Sequence, residues 1–590
     1  MSIYDKSSLV LIPSGTKTSK VYSQKPTNGD GDFDFTRSTA ATRVNADGNI
    51  EKETSNLLPY SNTFNNIAWG ADDASVTGGQ SGYDGTSNAW KLVGNTNASR
   101  HHIAESISYS GVNTFSIYAK ANGENYIQIA SASSTEQHAN FDLSDGSVGN
   151  VGFDFFDAKT TSLGNGWYRL SIIDKAVTNG FYISLVSSKT AGWLESWSMS
   201  NATDGILIQD AQVEEGLVAR DVLTTTTTAL YGGITDNVPR LDYTDSSCPA
   251  LKLEPQRTNI FTESEYFDGN AWTKYGGSSL TNNNAVSPEG VQNATKLTDA
   301  GGVYDQIPYT PDTNYVFSLF AKTDTATSIT LNFVDQAAGY LGGTIEYTFS
   351  TNVASVILQS ANGSVTADKE DYGNGWIRVV LKFKTNVAQN YNYQAIEFGG
   401  GDGWIFGAQL EASATYPTSY IPTYGTSVTR NADFGSDFDI VSTPISFGTN
   451  DDFTFYYEGS FNDLSGNHNM IMGGGRSVGG VDYRSYWWVL GSGSIRLSGH
   501  AEVIMATASI SITENTNNKL LVKRNGSVID FFINGVKITT NQFATNTEFT
   551  FRSLGWSYSN GVYKVSGDIK QAMIFKQAIT DQEAIDLTTI

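Results

Sequence analysis

The chain has 590 residues, a formal net charge of −23 and a single cysteine, Cys248. A chain of that length is too long to fold around a single hydrophobic core, so several domains are expected. The negative charge disfavours nucleic acid and anionic membrane surfaces as partners, and one cysteine excludes a disulfide framework or a cysteine-based zinc site within the chain. Aromatic residues reach 12% and glycine is abundant, which is typical of an all-β protein of short strands and many turns.

Residues 1–50 are interpreted as a short N-terminal leader that is too small for a core of its own. Residues 8–12 form an apolar, strand-like run, and residues 32–37 alternate with a period of two. We expect the leader to pack on a neighbouring domain, another subunit or a larger assembly, and to be the attachment end of the molecule. No signal peptide and no apolar run of about 20 residues is visible, so we expect synthesis in a cytoplasm without membrane insertion.

The middle of the chain contains the same sequence twice. Residues 115–120 (FSIYAK) return as 317–322 (FSLFAK), residues 164–169 (GNGWYR) as 373–378 (GNGWIR), and residues 211–214 (AQVE) as 408–411 (AQLE). Asn56 matches Asn259, and Trp69 matches Trp272. The repetition predicts two copies of one β-sandwich, at 51–222 and 256–424, joined by a connector at 223–255.

Residues 425–590 form a third, different module. Phe453, Phe455 and Tyr457 alternate with Thr454, Tyr456 and Glu458 in a strand-like pattern. Two Asn-Gly turns lie within 521–537, and a capping box at 580–583 opens a short helix. The sequence therefore predicts three tandem β-sandwich (jelly-roll) domains behind the leader.

Two parts of the sequence resemble known families. Residues 532–537 and 567–575, with the helix that follows Thr580, resemble the laminin-G or concanavalin A-like jelly roll. That family often has an acidic residue at the position of Lys570, which speaks against a metal site here. Residues 33–48 and 239–259 resemble appendage proteins of tailed bacteriophages, in which a carbohydrate-binding-like sandwich and a lectin-like domain follow.

The bacteriophage resemblance implies a structural virion protein: a tail fibre, a head fibre or a capsid decoration. It would be made in the host bacterial cytoplasm and displayed on the virion surface. Its expected partners are other virion proteins, reached through the leader, and glycans of a bacterial surface. We also expect a homo-oligomer, in which tandem modules multiply weak contacts.

Aromatic residues give the candidate ligand sites. The matched tryptophans Trp167 and Trp376, like Trp69 and Trp272, are interpreted as core residues, because they recur beside alternating apolar positions. Unmatched aromatic residues are better candidates for binding. In the third module, Trp487 and Trp488 are neighbours on a strand and point to opposite faces, so at least one is expected to be exposed. The predicted ligand-binding residues are Tyr483, Arg484, Tyr486, Trp487, Trp488 and His500; Trp193, Trp197 and Trp404 are weaker candidates.

Metal binding and catalysis find little support in the sequence. Asp32 with Asp34, and Asp451 with Asp452, offer oxygen ligands that suit calcium, but both pairs are interpreted as solvated acidic turns, and no metal or cofactor is predicted. No catalytic motif is present, and we predict a protein that is not an enzyme. Two alternatives stay open: a polysaccharide-degrading, tailspike-type enzyme, which needs only two carboxylates, and a purely architectural virion brace without a ligand.

Overall fold

The structure, a computed structural model, describes residues 2–109, 111–131, 137–175, 180–335, 341–359, 364–385, 393–433, 445–464, 469–474, 477–478, 481–482, 484–491, 493–538, 540–542, 547–555 and 565–590. The all-β prediction is confirmed, because nearly every element is a strand and three two-sheet sandwiches account for most of them. The described helices are the short segments Ile3–Lys6 and Asp581–Thr588 and the 3₁₀ turn His500–Glu502. No helix among the described residues is long and apolar enough to cross a membrane.

The first sandwich consists of two six-stranded antiparallel sheets. In spatial order, one sheet contains Phe155–Gly164, Trp167–Asp174, Asn113–Asn122, Gly205–Glu215, Ala89–Gly94 and Ala74–Gln80. The other contains Ser147–Val151, His138–Asp142, Tyr126–Ser131, Phe181–Leu185, His101–Glu105 and Trp69–Asp72.

The second sandwich has the same construction. One sheet contains Val365–Asp371, Ile377–Lys384, Asn314–Thr323, Gly403–Ala412, Gln292–Leu297 and Leu280–Val286. The other contains Val353–Gln359, Leu341–Thr348, Ser328–Asp335, Tyr393–Gly399, Gly302–Asp305 and Thr273–Tyr275.

These two sandwiches share one topology, strand for strand, and each has its own hydrophobic core. Even an irregularity is shared: a β-bulge interrupts the pairing after Ser116 in the first sandwich and after Ser318 in the second. The predicted duplication is therefore confirmed. The matched tryptophans are core residues as expected, since Trp69, Trp167 and Trp272 are 4% exposed and Trp376 is 2% exposed.

The repeated sequence motifs hold the chain that leaves each sandwich. Asn259 donates to the carbonyls of Ala408 (3.0 Å) and Ile421 (2.9 Å), and Asn56 makes the equivalent bonds in the first sandwich. In each copy the glutamine and glutamate of the Ala-Gln-x-Glu motif accept backbone amides of the departing segment; Gln409, for example, accepts the amide of Ile421 (2.7 Å). Because a buried polar side chain needs partners, both copies keep these residues.

The third sandwich is assembled from three separate parts of the chain. Its larger sheet contains Leu241–Asp242, Ala250–Leu253, Gly567–Phe575, Phe453–Gly459, Asn518–Asn525, Val528–Ile533 and Val536–Ile538, and Leu9–Leu11 also pairs with Gly567–Phe575. Its smaller sheet contains Asn541–Gln542, Ile504–Ser509, Ser494–Ser498, Ser485–Leu490, Asn469–Gly474 and Ser553–Leu554. Short strand pairs occur elsewhere: Thr16–Lys17 with Lys20–Val21 and Phe33–Asp34, Arg43–Val44 with Ile50–Glu51, Thr54–Asn56 with Leu230–Gly232, Arg257–Asn259 with Val428–Arg430, Ile445–Phe447 with Phe549–Phe551, and Ser477–Val478 with Val481–Asp482.

The leader packs on the third sandwich and contributes to its core, and its role as the attachment end of the molecule stays a prediction. Leu9–Leu11 is a strand of the third sandwich, and Leu9, Phe33 and Phe35 are buried in its core. Ala250–Leu253, from the predicted connector, is a neighbouring strand of the same sheet. The apolar residues of both segments find their core here, so the leader lies against the lectin-like module rather than at the opposite end of the molecule.

A buried ionic cluster joins the leader, the connector and the start of the third module. We call Arg37, Arg240, Arg430, Glu254 and Asp433 the junction cluster. Arg37 donates to Asp433 at 3.0 Å, and Arg240 donates to Glu254 at 2.7 Å and to Asp433. All five side chains are at most 3% exposed. Since these residues come from segments far apart in sequence, the cluster fixes how those segments meet.

A second buried ionic group lies between the first two sandwiches. Lys52 contacts Glu265 and Glu289, both at 2.7 Å, and Arg220 also pairs with Glu289. Beside this group, the rings of Phe156 and Tyr266 stack at 5.3 Å across the joint. The sandwiches are therefore packed together rather than strung on open linkers.

Candidate functional site

The predicted aromatic surface of the third module is not found. Tyr483 lies outside the described residues. Tyr486 is 1% exposed, Trp487 is 0% and Trp488 is 4%, because Ser485–Leu490 is an inner strand of the smaller sheet and both of its faces are covered. The expectation that one of the two tryptophans is exposed is therefore wrong.

The two polar members of that prediction lie in a small charged patch. Arg484 is partly exposed and pairs with Glu502 at 2.6 Å. The His500 ring contacts Glu548 at 3.3 Å and Thr550 at 2.9 Å. With the aromatic rings in the core, no stacking surface accompanies these groups within the described part of the module.

The acidic pairs considered for calcium serve as local hydrogen-bond acceptors. Asp32 accepts the amide of Ser23 at 2.8 Å, and Asp34 pairs with Lys20. Asp451 and Asp452 each accept a backbone amide at 2.7 Å. Across the described residues, no three His, Cys, Asp or Glu side chains are grouped as a metal site would require.

The two repeated sandwiches differ at one outer sheet face. In the first sandwich, residues 186–204 connect the strands Phe181–Leu185 and Gly205–Glu215, and we call this segment the strap. In the second sandwich, only residues 400–402 connect the equivalent strands. The loop difference leaves the corresponding face of the second sandwich without a strap.

The strap covers the outer face of the first sandwich with its own backbone. Gln128 donates to the carbonyl of Gly192 (2.9 Å) and accepts the amide of Leu194 (2.8 Å). Asn140 donates to the carbonyl of Ala191 (2.7 Å). Gln128 and Asn140 are 0% exposed although they point away from the sandwich core. The strap therefore covers the part of this face around Gln128 and Asn140, while Ala104 and Tyr182 on the same face stay partly exposed.

The same face of the second sandwich carries a row of three tyrosines. Tyr275, Tyr304 and Tyr393 lie on adjacent strands and are partly exposed. The rings of Tyr304 and Tyr393 stack with centroids 4.3 Å apart, and those of Tyr275 and Tyr304 are 6.0 Å apart. We call this surface the tyrosine face. It presents a continuous aromatic strip of the kind that packs on the apolar side of a sugar ring.

A glycine beneath the row lets Tyr275 lie across the sheet. A Cβ atom at Gly302 would be 2.7 Å from the Tyr275 hydroxyl oxygen, and a carbon atom does not come that close to an oxygen to which it is not covalently bonded. Tyr275 donates to Glu397 at 3.1 Å, and this contact crosses the strand that contains Gly302. Burial and the neighbouring Glu397 carboxylate both raise the pKa of Tyr275, so its hydroxyl stays a donor at neutral pH.

Polar side chains continue the tyrosine face along the sheet. Thr330, Asn332 and Glu346 are partly exposed, whereas Ile329 and Leu331 between them are fully buried in the core. The Asn332 side-chain oxygen is itself buried, and it has no hydrogen-bond partner among the described residues. The partly exposed Thr330 and Glu346 place a hydroxyl and a carboxylate beside the aromatic strip, and such groups suit sugar hydroxyls.

A shallow cavity of about 390 Å³ adjoins the tyrosine face at Thr273, which pairs with Tyr304. Asn270, Asp305 and Gln306 supply polar groups to its lining. Burial raises the pKa of Asp305 to about 6. The cavity extends the surface past the edge of the sheet and can hold a further part of an extended ligand.

Two other cavities lie at the joints of the molecule. One, of about 330 Å³, lies where the second and third sandwiches meet the connector, and Asp242, Glu370 and Asp568 line it. Cations neutralise these carboxylates: Lys252 is 3.5 Å from Asp242 and 3.3 Å from Asp568, and Arg378 is 3.3 Å from Glu370. The other cavity, of about 340 Å³, lies between the first two sandwiches.

The sequence contains a signal for the tyrosine face in the positions where the two copies differ. In the aligned strands, Ala104 takes the place of Tyr304 and Asp72 takes the place of Tyr275. These tyrosines are thus unmatched aromatic residues on a matched scaffold. In the third module, by contrast, the unmatched aromatic residues Tyr486, Trp487 and Trp488 are buried.

Comparisons with known proteins were made for the whole chain. No protein family model matches it, and no curated protein sequence matches it. Among solved structures, the CBM40 module of the Ruminococcus gnavus IT-sialidase bound to alpha2,3 sialyllactose aligns at 15% identity and a TM-score of 0.21, covering 25% of this chain and 97% of that one.

Two multidomain structures align over more of the chain. The LG1-3 region of the laminin alpha2 chain covers 81% of this chain and 95% of that one, at 10% identity and a TM-score of 0.17. The Trypanosoma rangeli sialidase in complex with 2,3-difluorosialic acid covers 85% and 98%, at 11% identity and a TM-score of 0.20. At these TM-scores the similarities do not assign a ligand or an activity, and the β-sandwich fold follows from the chain's own sheets.

Proposed function

We propose that the chain is a non-catalytic glycan-binding protein, and that the tyrosine face of the second sandwich is its binding surface. The observation that supports this is the contrast between two copies of one fold. The strap covers part of the outer face of the first sandwich, where Ala104 stands in place of Tyr304, whereas the equivalent face of the second has no strap and carries Tyr275, Tyr304 and Tyr393. Aromatic rings beside convergent hydrogen-bonding groups suit a sugar, which has apolar ring faces and polar edges.

The biological setting in our proposal is the surface of a tailed-bacteriophage particle, as a tail fibre, head fibre or capsid decoration. The resemblance of residues 33–48 and 239–259 to phage appendage proteins supports this setting. Glycans of a bacterial surface are then the ligands, and copies of the chain on the particle multiply weak binding. Contact with other virion proteins through the leader stays a prediction; the helix Ile3–Lys6 at its start has no buried residue.

A binding experiment on the full chain tests the proposed function. The protein is applied to a panel of immobilised bacterial surface polysaccharides, and Tyr304→Ala is compared with Tyr231→Ala. Tyr231 is 51% exposed and lies outside the tyrosine face, so it controls for the loss of an exposed tyrosine. We expect Tyr304→Ala to weaken binding by about tenfold or more, which corresponds to about 1.4 kcal/mol, and Tyr231→Ala to leave it unchanged. Equal binding by all three proteins would reject the tyrosine face.

A polysaccharide-degrading enzyme is the second candidate, and one observation gives it a location. The cavity lined by Asp242, Glu370 and Asp568 contains several carboxylates, as glycoside hydrolysis needs. Lys252 and Arg378 neutralise these groups, which favours a structural role. Release of oligosaccharides from a host polysaccharide by the wild-type chain, and its loss in Glu370→Gln, would establish the enzyme instead.

A further inference from the structure

The charge around the tyrosine face restricts what the proposed ligand can be. The sheet that bears the face consists of six strands, and Lys274 is the one cationic residue in their sequences. Among the side chains that the structure describes, the same strands contain three acidic residues, Asp305, Glu346 and Glu397. The local charge is therefore negative, in keeping with the charge of the whole chain.

The single lysine does not offset these carboxylates at the binding surface. Lys274 pairs with Asp268 at 2.7 Å, and it lies on the opposite side of its strand from Tyr275. Glu397 lies directly beside the tyrosine row, where it accepts the Tyr275 hydroxyl, and Glu346 lies on the same face on a neighbouring strand. The adjoining cavity contains Asp305 and no cationic side chain among its described lining residues.

We infer that the tyrosine face takes uncharged or amino sugars and rejects glycans that carry carboxylates, such as sialic acids and uronic acids. This inference rests on the proposed function and adds the class of ligand. A carboxylate on the sugar would meet Glu397 and Glu346 without a nearby cation to pair with it. Neighbouring carboxylates repel each other, and the repulsion is strongest at low ionic strength, where salt screens it least. The carboxylates instead suit sugar hydroxyl or ammonium donors.

The test compares each neutral polysaccharide with its own carboxylated form. Dextran, mannan and N-acetylglucosamine oligomers are immobilised beside their carboxymethylated derivatives, and binding of the full chain is measured at low and at physiological salt. We expect the carboxymethylated form of any bound glycan to bind at least tenfold more weakly at low salt, and the difference to shrink as salt is added. The double variant Glu346→Gln with Glu397→Gln should recover about threefold or more of the lost binding.

The outcomes separate this inference from the function on which it rests. Asp368→Asn, on the other sheet and with a side chain that is 55% exposed, is the control for loss of a surface charge and should recover nothing. Equal or tighter binding of the carboxymethylated forms that still disappears in Tyr304→Ala would overturn the charge selectivity and leave glycan binding at this face intact. Binding that is insensitive to Tyr304→Ala, or no binding to any polysaccharide, would overturn both.

Discussion

Substitution of Asp433 by asparagine is the sharpest test of how the chain is held together. Asp433 is fully buried and accepts hydrogen bonds from Arg37 (3.0 Å), Arg240 and the backbone amide of Glu254 (2.9 Å). Arg430 is 3.7 Å away. Asparagine has nearly the same shape but no charge, so three buried guanidinium groups would then face Glu254 alone. Removing one partner of a buried ionic group typically costs about 3–5 kcal/mol.

The assay is urea unfolding at pH 7 followed by tryptophan fluorescence, with Asp268→Asn as the control. Asp268 forms an exposed pair with Lys274 at 2.7 Å, and such pairs contribute about 1 kcal/mol or less. We expect Asp433→Asn to destabilise the third sandwich by about 3–5 kcal/mol. Burial opposes ionisation of Asp433, but Arg240 and Arg37 outweigh it and lower its pKa. Its charge therefore stabilises the fold above the unfolded value of about 3.9, and the difference from wild type should narrow as the pH falls below it. Equal effects of the two substitutions would refute the assigned role of the junction cluster.

Three further predictions follow from the packing. Deletion of residues 1–35 removes several buried apolar side chains from the core of the third sandwich. Because each buried side chain of this kind contributes about 1.5–3 kcal/mol, the third sandwich should unfold. A truncated chain with the native circular dichroism spectrum and melting curve would contradict this. Asn259→Ala and Asn56→Ala should each lower the free energy of unfolding, measured by thermal unfolding, by about 2–4 kcal/mol, because each leaves several backbone groups without a hydrogen-bond partner. Clearly different losses for the two substitutions would contradict equivalent roles. Burial and the nearby Glu265 raise the pKa of Glu263 to about 8, so its ionisation should lower the free energy of unfolding by about 1.4 kcal/mol per pH unit as the pH rises from about 5 to 8. Glu263→Gln should make the measured pH dependence shallower by that amount, and an unchanged pH dependence would contradict the raised pKa.

The sequence predicted the fold and the duplication because both are carried by local patterns. Alternating apolar residues and turn signals indicate strands, and residues 115–120 and 317–322 indicate a repeated sandwich. The prediction that the matched tryptophans lie in the core is confirmed by their low exposure. Residues that recur in both copies stabilise the fold. Asn259 and Gln409, for example, form hydrogen bonds to the segment that leaves the sandwich.

The sequence did not predict where the leader packs or which face is open, because both depend on contacts between distant segments. The pairing of Leu9–Leu11 with Gly567–Phe575 joins the two ends of the chain, and no local pattern encodes it. Burial of Trp487 and Trp488 on both sides of one sheet likewise depends on residues elsewhere in the third module. The length of the strap was visible as a loop insertion, but its position over Gln128 and Asn140 is a property of the folded sandwich.

Hydroxyl-radical footprinting of the full chain, with and without a bound bacterial polysaccharide, tests whether the tyrosine face is the binding surface. We expect the polysaccharide to lower the oxidation of Tyr304 and Tyr393, while Trp193 in the strap and Tyr231 react as before. Protection of other residues, with Tyr304 and Tyr393 unchanged, would contradict it.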